Sequence, residues 1–187
     1  STPVVTFDDV ESAETIYRRL QRTKHNGFPV LLRGTNKFVG VVLRSQLIVL
    51  LKLRAFCGEN GLNDPSRMTQ VEREGSTESA VGGGLSGLQV GGMQITSQHF
   101  ATALQSEVPS IDKCGVEPHE LTGKYLDLRP VMNPRPFSVG EDTSLVRVFR
   151  LCRAMGIRHL PVVNIDNEVV GMITRKELRA DFTQDLY

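Results

Sequence analysis

"TKHNGFPVLLRGTNKFVGVVLRSQL" runs from Thr23 to Leu47, and "MGIRHLPVVNIDNEVVGMITRKEL" from Met155 to Leu178. Both set a glycine a few residues before a Pro-Val pair. Both then pass through a turn of Gly, Asn and Asp, an apolar run built around a glycine, and an arginine with a leucine three residues on. Two such stretches in one chain predict a duplicated fold rather than a chance motif.

The correspondence extends upstream. Laying Pro3–Val30 over Arg135–Val162 places Val5-Thr6-Phe7 on Phe137-Ser138-Val139, and Ser12 on Ser144. It also places Ile16-Tyr17 on Val148-Phe149, and Pro29-Val30 on Pro161-Val162. After one deletion Phe38–Val42 falls on Val169–Ile173, and Leu47 on Leu178.

Each copy has the same internal order. A β-rich run (Val4–Phe7; Pro136–Val139) precedes Asp, Glu, Ser and Thr, which cap helix starts. Apolar residues then recur at helical spacing: Ala13, Ile16, Tyr17 and Leu20, or Leu145, Val148, Phe149 and Cys152. Gly27 and Gly156 lie near the helix exits. A strand follows ("FPVLL"; "LPVVN"), then a turn ("RGTN"; "IDNE"). A second strand ("FVGVVL"; "VVGMIT") leads to an amphipathic helix opening at "RSQL" or "RKEL". The order is β-α-β-β-α, an α/β (α+β) class. One unit of about fifty residues buries too little surface to be secure alone. Two related units packed through their sheets predict an intramolecular pair with pseudo-twofold symmetry.

The predicted organisation is a first repeat over residues 1–57, a flexible linker over 58–120, and an ordered approach with the second repeat over 121–187. The linker carries seven glycines between Gly75 and Gly92, a composition for flexibility. Gly82-x-Gly84-x-x-Gly87 formally matches a dinucleotide fingerprint. That motif works in a strand-to-helix turn, and its neighbours here are polar, acidic and glycine-rich. Ile95–Val108 is expected to form a short helix docking through His99, Phe100 and Leu104. Tyr125–Pro136 reads as an ordered extended approach ended by prolines.

Composition removes several function classes. Lys+Arg of 22 against Asp+Glu of 21 lacks the basic excess of a broad nucleic-acid surface. Cys57, Cys114 and Cys152 form no CxxC pair, so neither a disulfide framework nor a zinc site is expected. "LIVLLKLRAF" (Leu47–Phe56) is broken by Lys52 and Arg54 and is about half the ~20 residues a bilayer requires. Asp8, Asp9 and Glu11 occupy the place of a signal peptide's basic region. The start without methionine, almost inside a strand, suggests a fragment of a longer protein. No HExxH, GxSxG, paired-carboxylate or metal-ligand spacing points to an enzyme.

The pieces "HNGFPV", "FVGVVLRSQL", "YLDL", "MNPRPFSV", "GIRHLPVV" and "VVGMITRKEL" together resemble the cytoplasmic CBS-domain pair of CLC chloride channels and chloride/proton exchangers, with a tone nearest the endosomal, lysosomal and plant-vacuolar branches. The resemblance covers about two-thirds of the chain. It implies a soluble regulatory domain on the cytosolic face of such a membrane. Its partners would be the transport domain of the same parent chain, a second copy in a homodimer, and an adenine nucleotide (ATP, ADP or AMP). Alternatives are a structural dimerisation and trafficking module with an empty cleft, or the regulatory CBS pair of a non-transporter.

In nucleotide-binding members of that family the matching positions are Thr6, His25, Asn26, Gly27, Thr174, Arg175, Lys176 and Glu177. The chemistry is suitable. An imidazole at 25 can stack on adenine. Backbone groups at Asn26-Gly27 can read the base edge. A carboxylate at 177 can accept ribose hydroxyls. Thr174 and the helix it opens can receive phosphate oxygens, and Arg175 or Lys176 can add charge. Position 177 carries Glu where Asp is usual, and position 25 carries His where some members have Tyr. The mirror cleft would use Arg158, His159 and Leu43–Gln46. There Leu43 replaces a hydroxyl and Gln46 a carboxylate, so one site per chain is expected. Pro29, Pro161, Gly40 and Gly171 read as structural: prolines ahead of strands, and glycines allowing close backbone approach.

Overall fold

In the computed structural model of the protein the described residues are 4–57, 88–90, 93–95, 97–105, 110–134, 136–175 and 177–178. The first repeat contains β1 (Phe7–Asp8), β2 (Val10–Ser12), α1 (Ala13–Arg22), β3 (Gly27–Leu31), β4 (Phe38–Leu43) and α2 (Arg44–Lys52). A hairpin of β5 (Leu88–Val90) and β6 (Met93–Ile95) follows, then α3 (Ser97–Gln105), two 3-10 turns (Ile111–Lys113 and Pro118–Leu121) and β7 (Tyr125–Asp127). The second repeat contains β8 (Val139–Gly140), α4 (Leu145–Met155), β9 (His159–Val163) and β10 (Val169–Thr174). Residues 175, 177 and 178 are helical, where the closing helix is expected.

The chain divides into two compact units that do not coincide with the two repeats. One comprises Ser1–Asp9, His25–Leu43 and Met132–Tyr187, the other Val10–Lys24 and Arg44–Val131. The first unit holds the sheets of both repeats. In the first repeat the strand order is β1-β3-β4, with β1 parallel and β4 antiparallel to β3. In the second it is β8-β9-β10, with the same directions. The registers repeat residue for residue. Phe7 lies opposite Val30, and Val139 opposite Val162. Pro29 lies opposite Val41, and Pro161 opposite Met172.

Each hairpin also carries the same bulge. Val39 falls at the register shift of β3 against β4, and Val170 at that of β9 against β10. The turns match as well: Asn36 (φ 56°) and Asn167 (φ 60°) both take the left-handed conformation, which asparagine tolerates better than most residues. Pro29 and Pro161 lie inside β3 and β9 rather than ahead of them. The parallel partner begins pairing only at Val30 and Val162. The missing proline N–H therefore falls where no ladder bond is due.

The two sheets meet through equivalent residues. Lys37 and Glu168, which the sequence repeat superposes, form an antiparallel bridge. Phe38 N–H donates to Asn167 O at 2.8 Å, and Asn167 Nδ2 donates back to Phe38 O at 3.0 Å. Contact between counterparts is what a pseudo-twofold axis produces.

Helices α1 and α4 each start after a serine, of which Ser12 makes a side-chain capping hydrogen bond and Ser144 makes none. Ser12 caps α1, its hydroxyl accepting from Thr15 N–H, and Ser144 is the N-cap of α4. Gly156 ends α4 in the left-handed conformation (φ 65°). Gly27 does not serve α1 in that way. The helix ends at Arg22 with Thr23 extended, and Gly27 opens β3. The second repeat closes a core of Val148, Cys152, Leu160 and Leu178.

In the second unit α2 departs from the expected amphipathic pattern. Leu47, Ile48, Val49, Leu50 and Leu51 are all buried, which requires cover on every side. Part of that cover is α3, which packs on α2. The expected docking helix is thus Ser97–Gln105, with Phe100 buried and Leu104 half-buried; the side chain of His99 lies outside the described residues. Of the segment 58–120, residues 58–87 lie outside the described residues, including Gly82–Gly87. Its later part is folded, with Ile111, Cys114 and Val116 buried. Of the approach, β7 pairs antiparallel with β2 within this unit. In the first unit, Asn133 exchanges backbone hydrogen bonds with Val41 at 3.1 and 2.8 Å. Cys57, Cys114 and Cys152 are free thiols. No helix of the described residues is long and apolar enough to cross a membrane.

Candidate functional site

Three distant stretches reach one end of the first unit. Because β1 and β3 are parallel, Thr6, one residue ahead of β1, lies at the end where β3 starts. His25 and Asn26 lead into that start and are exposed. In the second repeat Thr174, the last residue of β10, pairs with His159, the first of β9. The two ends touch: a Cβ built on Gly27 would come within 2.6 Å of the His159 ring. Gly27 and His159 are counterparts in the sequence repeat, so this contact too lies on the pseudo-twofold axis. It explains the glycine, since a side chain would displace the imidazole.

Thr174 and Glu177 act together. Thr174 N–H donates to Glu177 Oε2 at 2.7 Å, and Thr174 Oγ1–H to the same oxygen at 2.9 Å. A threonine followed three residues later by a glutamate that reaches back to its N–H is half of a capping box. Partial burial pushes the Glu177 carboxyl up, but hydrogen bonds, chiefly the two from Thr174, outweigh it and leave it below its ordinary range. Glu177 therefore carries a fixed negative charge at neutral pH. Arg175 is exposed, and its N–H donates to Arg158 O at 3.3 Å. Lys176 lies outside the described residues. The His25 ring is nearly perpendicular to Phe28, with centroids 6.4 Å apart.

Sequence reading assigned His159 to the mirror cleft alone. The structure sets it against Gly27 and opposite Thr174, at the middle of the candidate site. Half-burial, and secondarily Arg158, hold its pKa below the ordinary 6.5, so the ring is neutral at physiological pH. The available signal was the repeat itself, which superposes residues 27 and 159. In the mirror set, Leu43 pairs with Gly27, and Gln46 Nε2 donates to Val131 O at 2.7 Å. Gln46 is thus engaged with backbone. No group of three or more His, Cys, Asp or Glu side chains among the described residues could hold a metal.

Comparison with known proteins agrees with this architecture. The CBS domain family matches residues 1–52 and 128–182. Chloride channel protein A of Dictyostelium discoideum is 32% identical over 95% of this chain and 23% of its own length. The human H(+)/Cl(-) exchange transporter 7 is 36% identical over 95% of this chain and 19% of its own. Chloride channel protein CLC-d of Arabidopsis thaliana is 33% identical over 95% and 20%. The chain thus spans about a fifth of the length of these relatives. Among solved structures, CBSX2 in complex with AMP covers 97% of this chain and 89% of its own at 18% identity, with a TM-score of 0.50. Protein MJ1225 of Methanocaldococcus jannaschii covers 98% and 48% at 14% identity, with a TM-score of 0.51. At these identities the two structures speak to the fold. With both repeats matched by the family and every strand of one sheet answered in the other, the chain belongs to the CBS-domain family as a tandem pair, similar over nearly its whole length to segments of CLC chloride channels and proton/chloride exchangers.

Proposed function

We propose that this chain is the cytosolic regulatory domain of a CLC-type chloride channel or chloride/proton exchanger, and that an adenine nucleotide held at the paired sheet ends modulates anion transport. The observation that carries the reading is the convergence of the Thr6, His25–Gly27 and Thr174–Glu177 stretches at one end of the first unit, joined through Gly27 and His159. The exposed His25 ring would stack on the base. The charged Glu177 would accept the ribose hydroxyls. Thr174, the helix start and Arg175 would receive phosphate, with Lys176 as a further cation. The AMP complex of CBSX2 supports adenine nucleotide as the ligand class, and the relatives support a transport parent. On this reading the domain is no enzyme. It works at the cytosolic face of an endosomal, lysosomal or vacuolar membrane, covalently joined to its transport domain and paired with a second copy.

One observation favours a second reading, a structural dimerisation and trafficking module without ligand. Glu177 Oε2 is already taken by Thr174, as a helix cap alone requires.

Thermal denaturation with ATP, ADP and AMP separates the two. Ligand at about a hundred times its Kd adds ~2.7 kcal/mol if only the folded state binds. The three nucleotides should bind within about tenfold of one another, ~1.4 kcal/mol, because base and ribose dominate. Glu177→Ala should lower the unliganded melting temperature through loss of the cap, worth ~1 kcal/mol, and should separately remove most of the nucleotide-induced rise. Gln46→Ala should leave that rise nearly intact. A rise unchanged in Glu177→Ala would displace the site, and no rise with any nucleotide at millimolar concentration would favour the structural module.

A further inference from the structure

The two repeats differ where the chain passes from the first strand into the helix. In the first repeat that passage, Val10–Ser12, is covered by β7, and Ala13 N–H donates to Lys124 O at 2.9 Å. The superposed passage, Asp142–Ser144, pairs with no strand among the described residues. Beside it opens a cavity of about 530 Å³. One wall is α4, through Arg147, Arg150, Leu151 and Ala154; the other is the chain entering it, through Val139 and Thr143. Neither arginine has an ion-pair or hydrogen-bond partner among the described residues. Leu145 and Val146, at the start of the same helix, are exposed.

From this we infer that the groove is a docking site for an acidic polypeptide segment bound in extended form. Three features select that chemistry. The two guanidiniums call for carboxylates and can take them bidentately. Val139 on the facing wall calls for apolar side chains. An extended chain turns successive side chains to opposite sides, carboxylates toward the arginines of α4 and apolar side chains toward Val139. The exposed Glu141 and Asp142 fall in the chain between the lining residues Gly140 and Thr143, so the partner's carboxylates belong on the α4 side of the groove. A small anion would satisfy the arginines and leave Leu151, Ala154 and Val139 uncovered.

The test uses the 187-residue chain and a fluorescein-labelled decapeptide of alternating Glu and Val, with a Gln-Val peptide as control, followed by anisotropy. The Glu-Val peptide should bind at least about tenfold tighter than the control, and should weaken steeply with salt because exposed charges are screened. Arg147→Glu with Arg150→Glu should lose at least about tenfold in affinity while the melting temperature stays near that of the parent, since surface changes are nearly neutral. Should the double variant fail to fold, Arg150→Ala alone should still lose severalfold. Equal binding of the two peptides, or binding indifferent to the arginines, would overturn the inference. So would arginine-dependent binding of inorganic phosphate, or of vesicles containing phosphorylated phosphatidylinositol, without peptide binding. Sedimentation showing that two copies occlude the groove at assay concentration would overturn it in favour of self-association.

Discussion

Helices α1 and α4 answer each other in the sequence repeat and meet different surroundings. Ala13, Ile16 and Leu20 on α1 are buried completely, and the 3-10 turns at Ile111–Lys113 and Pro118–Leu121 pack on that helix. On α4 the described buried positions are Val148 and Cys152, while Leu145, the counterpart of Ala13, is 44% exposed. Among the described residues, the 3-10 turns of the segment between the repeats cover α1, while Leu145 on α4 is exposed. Counterpart helices of a duplicated fold thus differ in how far their superposed positions are buried.

The widest separation is expected in the helices themselves. Leu20→Ala should cost about 2–5 kcal/mol, because a fully buried side chain leaves a cavity. Leu145→Ala should stay within about 0.5 kcal/mol, as for other exposed positions. Urea unfolding of both variants checks this, and equal losses would break the comparison.

The paired strand glycines come next. A Cβ on Gly40 would lie 2.7 Å from Asn133 O and 2.8 Å from Met132 Sδ, whereas on Gly171 its nearest neighbour, Val162, is 3.5 Å away. Gly40→Ala should therefore cost about 2–3 kcal/mol through overpacking, and Gly171→Ala well under about 1 kcal/mol. Unfolding midpoints that move equally would show the approach segment to be looser than the contacts require.

Arg44 and Arg175 sharpen the contrast further. The Arg44 guanidinium donates to Thr23 O at 2.9 Å and Leu20 O at 2.6 Å, closing the last turn of α1. Arg44→Ala should remove about 1.5 kcal/mol, the lower range for hydrogen bonds to a charged group. The exposed Arg175 side chain should be nearly neutral for stability when replaced, and its loss should register in nucleotide affinity instead.

The smallest effect is one of pH. His159 is held below its ordinary pKa of 6.5 by burial and by Arg158. Below pH 6.5 the unfolded chain binds this proton more readily than the folded one. The contribution is complete above that value and declines as pH falls through the folded-state pKa. His159→Gln should flatten stability measured between pH 7.5 and pH 5.5. A slope unchanged in the variant would remove His159 as its source.

Much of this was legible in the residues because it is local or repetitive. Turn chemistry at Asn36 and Asn167, the serines at the helix starts, and the alternation of the hairpins are each decided by near neighbours. The duplication then carried the strand order from one copy to the other. Gly27 shows the limit of that reasoning. By local chemistry it belongs near a helix exit, yet it opens β3, where the imidazole of His159, far away in sequence, leaves no room for a Cβ. The burial of α2 on all sides was hidden for the same reason: its cover includes α3, in a segment whose composition suggests a linker. Of the candidate site, the residues that the family resemblance implies could be read ahead. That Thr174 and Glu177 share one oxygen, and that His159 stands at the centre, could not.

By itself, the sequence determined the two β-α-β-β-α copies with their turns and helix starts, since each depends on spacing and side-chain chemistry along the chain. The tertiary structure decided the division into units that cut across the repeats, the meeting of Gly27 with His159 and of Lys37 with Glu168, and which helix is covered. Those depend on excluded volume and on backbone hydrogen bonds between residues about 130 positions apart, which local propensity does not encode.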